Sequence, residues 1–229
     1  MKKMVVFLTT KNDPILANFV EVFKSFDIGI DSIIYDGYIK DDRKNRYLER
    51  AGKYYKYHTY QGSDIDEYMV ADHNSYKCES ILKRLQPDII VNAGPPRILK
   101  KNILNIPKLG VLNSHPAKLP QYQGCTTVEW TIYNGDNLGA TCHYMSEDID
   151  AGPIIYYEEM DTSECECYEH IRANMIYHFI DVMAKGCKLA MNLNKNWKKL
   201  DVDLSDSKYY NVIDEDKMNT IKKMCLKDV

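Results

Sequence analysis

The sequence predicts an α/β protein built on a mostly parallel sheet flanked by helices, with a short C-terminal extension. Three observations carry this. Met4–Leu8, an amphipathic stretch from Pro14 to Phe26, and Ile30–Tyr35 form a strand, helix, strand unit, which implies a parallel pair. Two further apolar runs, Asp88–Val91 and Gly110–Asn113, add buried strands with Asn74–Leu85 as a helix before them. A long apolar-striped segment, Cys165–Asn192, predicts a large covering helix.

Each element has its own signal. Two lysines before the first apolar run resemble a secretory start, but the run is interrupted at Lys11–Pro14, too early for a signal core or a membrane span. A buried first strand is the better reading. Pro14 suits a first helical turn, and Ile15, Phe19, Val22, Phe23 and Phe26 share one helical face. Residues 36–72 read differently. Lys40–Arg46 is a mixed charge run, a solvated helix or loop, and Tyr54, Tyr55, Tyr57 and Tyr60 with His58 are expected to pack half-buried rather than to stack on a ligand. Pro87 stops one helix, Gly94-Pro95-Pro96 makes a rigid turn, and Arg97–Leu104 is a candidate short helix. Thr127–Tyr133 is a helix closed by Asn134-Gly135. Gly139–Met145 and Ile154–Glu158 are strands around a loop at 146–153. The last stretch is polar. Tyr209–Ile213 can add a small strand, and Asp214 caps a closing helix to Met224. We therefore expect residues 1–192 to form the main domain and 193–229 the extension.

The totals bound the function. The chain has 229 residues, 45% of them hydrophobic, enough for a packed core. With 30 basic and 33 acidic residues, the net charge of −3 argues against a dedicated nucleic-acid binder. The seven cysteines are scattered with no CxxC pair, so reduced thiols, a cytoplasmic setting and no metal site are expected.

The chemistry concentrates at 113–124, Asn-Ser-His-Pro-Ala-Lys-Leu-Pro-Gln-Tyr-Gln-Gly, and at Asp150-Ala151-Gly152-Pro153. Residues i and i+2 of a strand face one side, so Asn113 and His115 point together. Pro116 cannot donate a ladder hydrogen bond and ends the strand. Parallel sheets bind ligands beyond the C-terminal ends of their strands, which is where this pair falls. Taken singly, His115 is a loop histidine, Asn113 a turn residue and Asp150 a loop aspartate. Together, an amide, an imidazole and a carboxylate suit transfer of an acyl unit to an amine.

Asn113-Ser114-His115-Pro116 with Leu119-Pro120, Tyr122 and Gly124 resembles the hallmark of the formyltransferases that use 10-formyltetrahydrofolate. Trp130, Asn134-Gly135, Gly139–His143 and Asp148–Ile155 extend the likeness, which is strong over about 86–160. The resemblance implies a Rossmann-like formyltransferase fold and a catalytic triad at Asn113, His115 and Asp150. Asn113 and His115 would donate to the oxyanion of the tetrahedral intermediate, each such donor worth about 10²–10³ in rate. Asp150 would orient His115 and take the amine proton. The resemblance also implies that Arg97, Ile98, Leu99, Asp148 and Ile149 hold the folate, with His143 behind the triad. No metal is needed.

The family divides by acceptor. The glycinamide ribonucleotide enzymes carry a glycine-rich turn after the first strand to cradle a phosphate. Here that turn is Thr9–Pro14, without glycine. Methionyl-tRNA formyltransferases carry an extra C-terminal barrel and a basic surface, so tRNA is not expected. Val128-Glu129-Trp130 resembles the branch acting on nucleotide-linked amino sugars, such as a dTDP-4-amino-4,6-dideoxyhexose, with Tyr122 and Glu129 lining the acceptor pocket or Glu129 merely bracing its helix. A homodimer without membrane or nucleic-acid partners is expected. The alternatives are a glycinamide ribonucleotide formyltransferase, a 10-formyltetrahydrofolate hydrolase (usually fitted with a regulatory domain, which is not expected before Met1), and a non-catalytic binding module.

Overall fold

The computed structural model describes residues 3–37, 42–62, 64–94, 97–193 and 203–226. Its strands are β1 (Val5–Thr10), β2 (Ser32–Asp36), β3 (Asp66–Val70), β4 (Ile89–Asn92), β5 (Gly110–His115), β6 (Gln123–Gly124), β7 (Gly139–Tyr144), β8 (Ile154–Glu159) and β9 (Tyr209–Tyr210). Its α-helices are α1 (Leu16–Ser25), α2 (Asp42–Ala51), α3 (Tyr76–Leu85), α4 (Lys101–Leu104), α5 (Thr127–Asn134), α6 (Tyr168–Leu193) and α7 (Glu215–Met224). Seven strands form one sheet in the order β3-β2-β1-β4-β5-β7-β8, and β6 and β9 pair separately. The strands from β3 to β5 are parallel, while β7 runs antiparallel to both β5 and β8. This is the mostly parallel α/β sheet that the sequence predicts.

The sheet separates two cores by strand parity. Val5 and Phe7 of β1, Val91 of β4 and Leu112 of β5 pack with α1 and α6. Val6 and Leu8, Ile90 and Val111 pack with α3 and α4. On the first face Phe7 meets Phe23 edge-on at 4.9 Å between centroids. The close approach of α6 depends on Gly186, where a Cβ would stand 2.3 Å from Cys142 Sγ.

Local signals explain most boundaries. Ser75 Oγ accepts from Cys78 N at 3.3 Å and starts α3. Gly135, at φ +75°, closes α5. Asp214 accepts from Lys217 N and starts α7, as expected. The predicted helix over 97–104 shrinks to α4, because Asn74 holds the segment before it extended: its Oδ1 accepts from Lys100 N at 2.7 Å and its Nδ2 donates to Ile98 O at 3.1 Å. Strand β3 went unread in the stretch 36–72, since an edge strand with exposed Asp66 and Glu67 carries little apolar periodicity. The tyrosines there do pack. Tyr55 is buried with its hydroxyl 2.7 Å from Pro14 O, and Tyr54 stacks on His170 at 4.4 Å. Lys40 and Asp41 of the charge run and Pro95-Pro96 of the rigid turn lie outside the described residues.

Candidate active site

Strand parity brings the predicted residues together. Asn113 and His115 share the α3/α4 side of β5 with Val111, and β7 sets His143 opposite Asn113 and Thr141 opposite His115. Asn113 Nδ2 lies 3.1 Å from His143 Nε2. His115 Nδ1 lies 3.5 Å from Asp150 Oδ2, and His143 Nε2 lies 3.9 Å from Asp150 Oδ1. Asn113, His115, Asp150 and His143 therefore form one contiguous polar group.

The carbonyls around this group decide its proton positions, since a carbonyl only accepts. His143 Nδ1 is 3.0 Å from Tyr144 O and must donate to it. Burial pushes the His143 pKa down to about 4, against the opposing pull of Asp150, so the ring is neutral near pH 7 and its Nε2 is bare. That nitrogen accepts from Asn113 Nδ2, and Asn113 Oδ1 then accepts from Asn92 Nδ2 at 2.7 Å. One Nδ2 hydrogen of Asn113 goes to His143 and the second is left over. His115 Nε2 donates to Tyr122 O at 2.7 Å, so Nδ1 is the ring nitrogen facing Asp150.

Asp150 stands at φ +52°, a region that L-residues other than Asn and Asp rarely enter. Gly124 N donates to its carboxylate at 3.0 Å. The loop carrying it folds back tightly on β7: a Cβ at Gly152 would stand 1.8 Å from Tyr144 O, and Tyr144 N donates to Pro153 O at 2.9 Å. That close approach is the physical reason for the glycine after Asp150-Ala151. Thr141 Oγ1 binds the next segment, donating to Ala117 O at 2.7 Å and accepting from Leu119 N at 3.1 Å.

The residues expected around the folate lie in two neighbouring segments. Ile98 and Ile149 are exposed at 65% and 46%, Asp148 is exposed, and Leu99 is buried in the core with α3. An ion pair between Lys101 and Glu147, 3.1 Å long, links the two segments. Arg97 is anchored inward: its Nε donates to the buried Asp36 carboxylate at 2.7 Å, and its NH1 pairs with Asp72 at 3.2 Å. His73 N donates to the same Asp36 oxygen at 2.9 Å.

The two residues expected at the acceptor are both buried. Tyr122 stacks on Tyr210 at 5.1 Å and donates its hydroxyl to Asp136, while its backbone carbonyl serves His115. Burial and Asp136 together push its hydroxyl pKa up. Glu129 is 1% exposed and binds α6, accepting from Tyr168 Oη at 2.6 Å and pairing with Arg172 at 3.7 Å. Burial raises its carboxyl pKa, but Arg172 and Tyr168 outweigh burial and hold it below the usual range. Its contacts are those of a brace between α5 and α6.

Sequence reasoning missed Asn92 and Gln123. Asn92 had a signal: it is the polar residue that ends an apolar strand beside the end of β5. Among the described residues no group of His, Cys, Asp or Glu is arranged to hold a metal ion, and no helix is long and apolar enough to cross a membrane.

By sequence, 80 residues of the chain (34% of it) are 42% identical to the methionyl-tRNA formyltransferase of Syntrophus aciditrophicus (strain SB), a match spanning 26% of that protein. By fold, the chain is similar to a 4-N formyltransferase from Francisella tularensis, with a TM-score of 0.61 at 19% identity over 93% of this chain and 78% of that one. It is also similar to the phosphoribosylglycinamide formyltransferase of Streptococcus pneumoniae TIGR4, with a TM-score of 0.59 at 18% identity over 81% and 97% of the two chains. The formyl transferase family model matches residues 43–176, more than half of the sequence, and the chain belongs to that family.

Proposed function

We propose that this protein is an N-formyltransferase that moves the formyl group of 10-formyltetrahydrofolate to the amine of a nucleotide-linked amino sugar, such as a dTDP-4-amino-4,6-dideoxyhexose. The observation that carries the reading is the adjacency of Asn113, His115 and Asp150, with one Asn113 amide hydrogen uncommitted and His115 Nδ1 3.5 Å from the Asp150 carboxylate. The neutral amine attacks the formyl carbon. The spare Asn113 N–H donates to the developing oxyanion, a role typically worth about 10²–10³ in rate. Asp150 with His115 Nδ1 takes the proton lost by the amine and delivers one to the departing folate nitrogen. Bond formation to the sugar nitrogen and cleavage at the folate nitrogen then balance, with tetrahydrofolate and a formamide as products. The segments Arg97-Ile98-Leu99 and Asp148-Ile149 line the folate, Leu99 through its backbone because its side chain lies in the core.

The start of α1 supports a sugar acceptor over glycinamide ribonucleotide. Asp13 is 4% exposed and its carboxylate accepts from Ile15 N at 3.1 Å. A negative side chain thus already occupies the helix N-terminus that would otherwise cradle a phosphate.

The test is release of tetrahydrofolate from 10-formyltetrahydrofolate, measured with a panel of nucleotide-linked amino sugars, glycinamide ribonucleotide and initiator methionyl-tRNA. Turnover that depends on one amino sugar is expected. Turnover with glycinamide ribonucleotide or tRNA alone would refute the acceptor. Release of formate without any amine would identify a hydrolase.

A further inference from the structure

We infer that Gln123 is a positioning residue, through which the C-terminal segment 207–211 sets the position of Asp150. The inference rests on the reading of Asp150 as a catalytic group. Asp150 sits in a left-handed conformation at φ +52°, which outside contacts must hold. Those contacts come from β6. Gln123 Nε2 donates to Asp150 O at 3.0 Å, and Gly124 N donates to the Asp150 carboxylate at 3.0 Å. The same short segment supplies the Tyr122 carbonyl that receives His115 Nε2.

The far side of β6 is held by the C-terminal chain. Gln123 N donates to Lys208 O at 2.9 Å, Cys125 N to Tyr210 O at 2.9 Å, and Lys208 N to Pro120 O at 3.3 Å. Ser207 Oγ donates to Gln123 Oε1 at 2.7 Å. Trp130 Nε1 donates to Asn211 O at 2.8 Å and ties the strap to α5. Gly124 allows the close approach, since a Cβ there would stand 2.4 Å from Tyr210 O. Gln123 is 6% exposed, and its polarity is fixed. The Asp150 carbonyl can only accept, so Nε2 must face it and Oε1 is left for Ser207. One buried carboxamide thus joins the strap to the backbone of the catalytic aspartate.

Gln123→Glu separates this role from general stability. It keeps the shape and the acceptor for Ser207 but sets an oxygen against the Asp150 carbonyl. Ser207→Ala breaks the far end of the link, and Ser207→Thr restores it. The expected result is a kcat at least tenfold lower in Gln123→Glu with the KM for 10-formyltetrahydrofolate within twofold. Ser207→Ala should lose at least threefold in kcat and Ser207→Thr less than twofold. Gly124 amide exchange, followed by NMR, reads the link without turnover and should quicken at least tenfold in Gln123→Glu and in Ser207→Ala. A kcat within twofold in Gln123→Glu, or equal damage from Ser207→Thr and Ser207→Ala, overturns the inference. If the wild type turns over no acceptor, the proposed function fails and exchange alone decides: unchanged Gly124 exchange then overturns the link.

Discussion

Asn113 and His143 face each other across β5 and β7, with Nδ2 and Nε2 3.1 Å apart, and the direction of that hydrogen bond is set from one end. The Tyr144 carbonyl accepts from His143 Nδ1, which leaves Nε2 bare, turns the Asn113 amide toward it, and points Asn113 Oδ1 at Asn92. The chain of polarity ends at Asn92 Oδ1, which is buried without a hydrogen-bond partner. A neutral His143 thereby presents the Asn113 amide with one N–H to spare. His143 thus sets the orientation of the Asn113 amide from β7.

The histidine carries a pH signature. Its pKa falls from 6.5 when unfolded to about 4 when folded, so below 6.5 the unfolded chain binds a proton that the native protein refuses. Stability is therefore full above pH 6.5 and is lost as pH falls toward 4, by at most about 3 kcal/mol from this group. Urea midpoints at pH 7 and pH 5 check it. The wild-type midpoint should drop, and that of His143→Gln should drop less. Equal drops would mean that His143 is protonated in the native state.

Arg97 is expected to act by holding its loop. Its guanidinium joins the ends of β2 and β3 through Asp36 and Asp72. Arg97→Met leaves the Asp36 carboxylate buried with fewer partners. Because Arg97 is itself 28% exposed, the expected cost is about 1–3 kcal/mol, below the about 3–5 of a fully buried pair. The KM for 10-formyltetrahydrofolate should rise severalfold while kcat changes little. A thermal melt and a folate titration of kcat/KM measure both, and an unchanged KM would remove Arg97 from the folate wall.

Gly152→Ala tests the packing of the Asp150 loop. A methyl 1.8 Å from Tyr144 O cannot be accommodated without moving the backbone. We expect a loss of more than about 2 kcal/mol in stability and a parallel loss of turnover. A Gly152→Ala variant with the wild-type urea midpoint and kcat would show that the loop is not seated on β7.

The sheet was legible because it rests on local, periodic signals, whereas Asp150 was joined to Asn113 and His115 only through the family resemblance of its Asp-Ala-Gly-Pro loop. Parity placed Asn113 and His115 on one side of β5, and the proline after them ended the strand. Other features were not legible because their cause lies far away in sequence. Gln123 meets Asp150 and Ser207, 27 and 84 residues on. Glu129 is drawn inward by Tyr168, 39 residues away, which no reading of the Val128-Glu129-Trp130 motif reveals. Arg97 is turned toward Asp36, 61 residues before it. Buried charge pairs of this kind are settled by which loops the topology brings together.

The most direct test of the central claim is carbon NMR with 10-formyltetrahydrofolate labelled in the formyl carbon, a dTDP-linked 4-amino-4,6-dideoxyhexose, and wild-type or Asp150→Asn protein. Asparagine has the same shape and tolerates the left-handed backbone at 150, so the variant should fold as the wild type does. The account predicts a formamide resonance on the sugar with the wild type and a rate lower by at least about 10² with the variant. A variant rate within tenfold of wild type, or label released as formate instead of formamide, would contradict it.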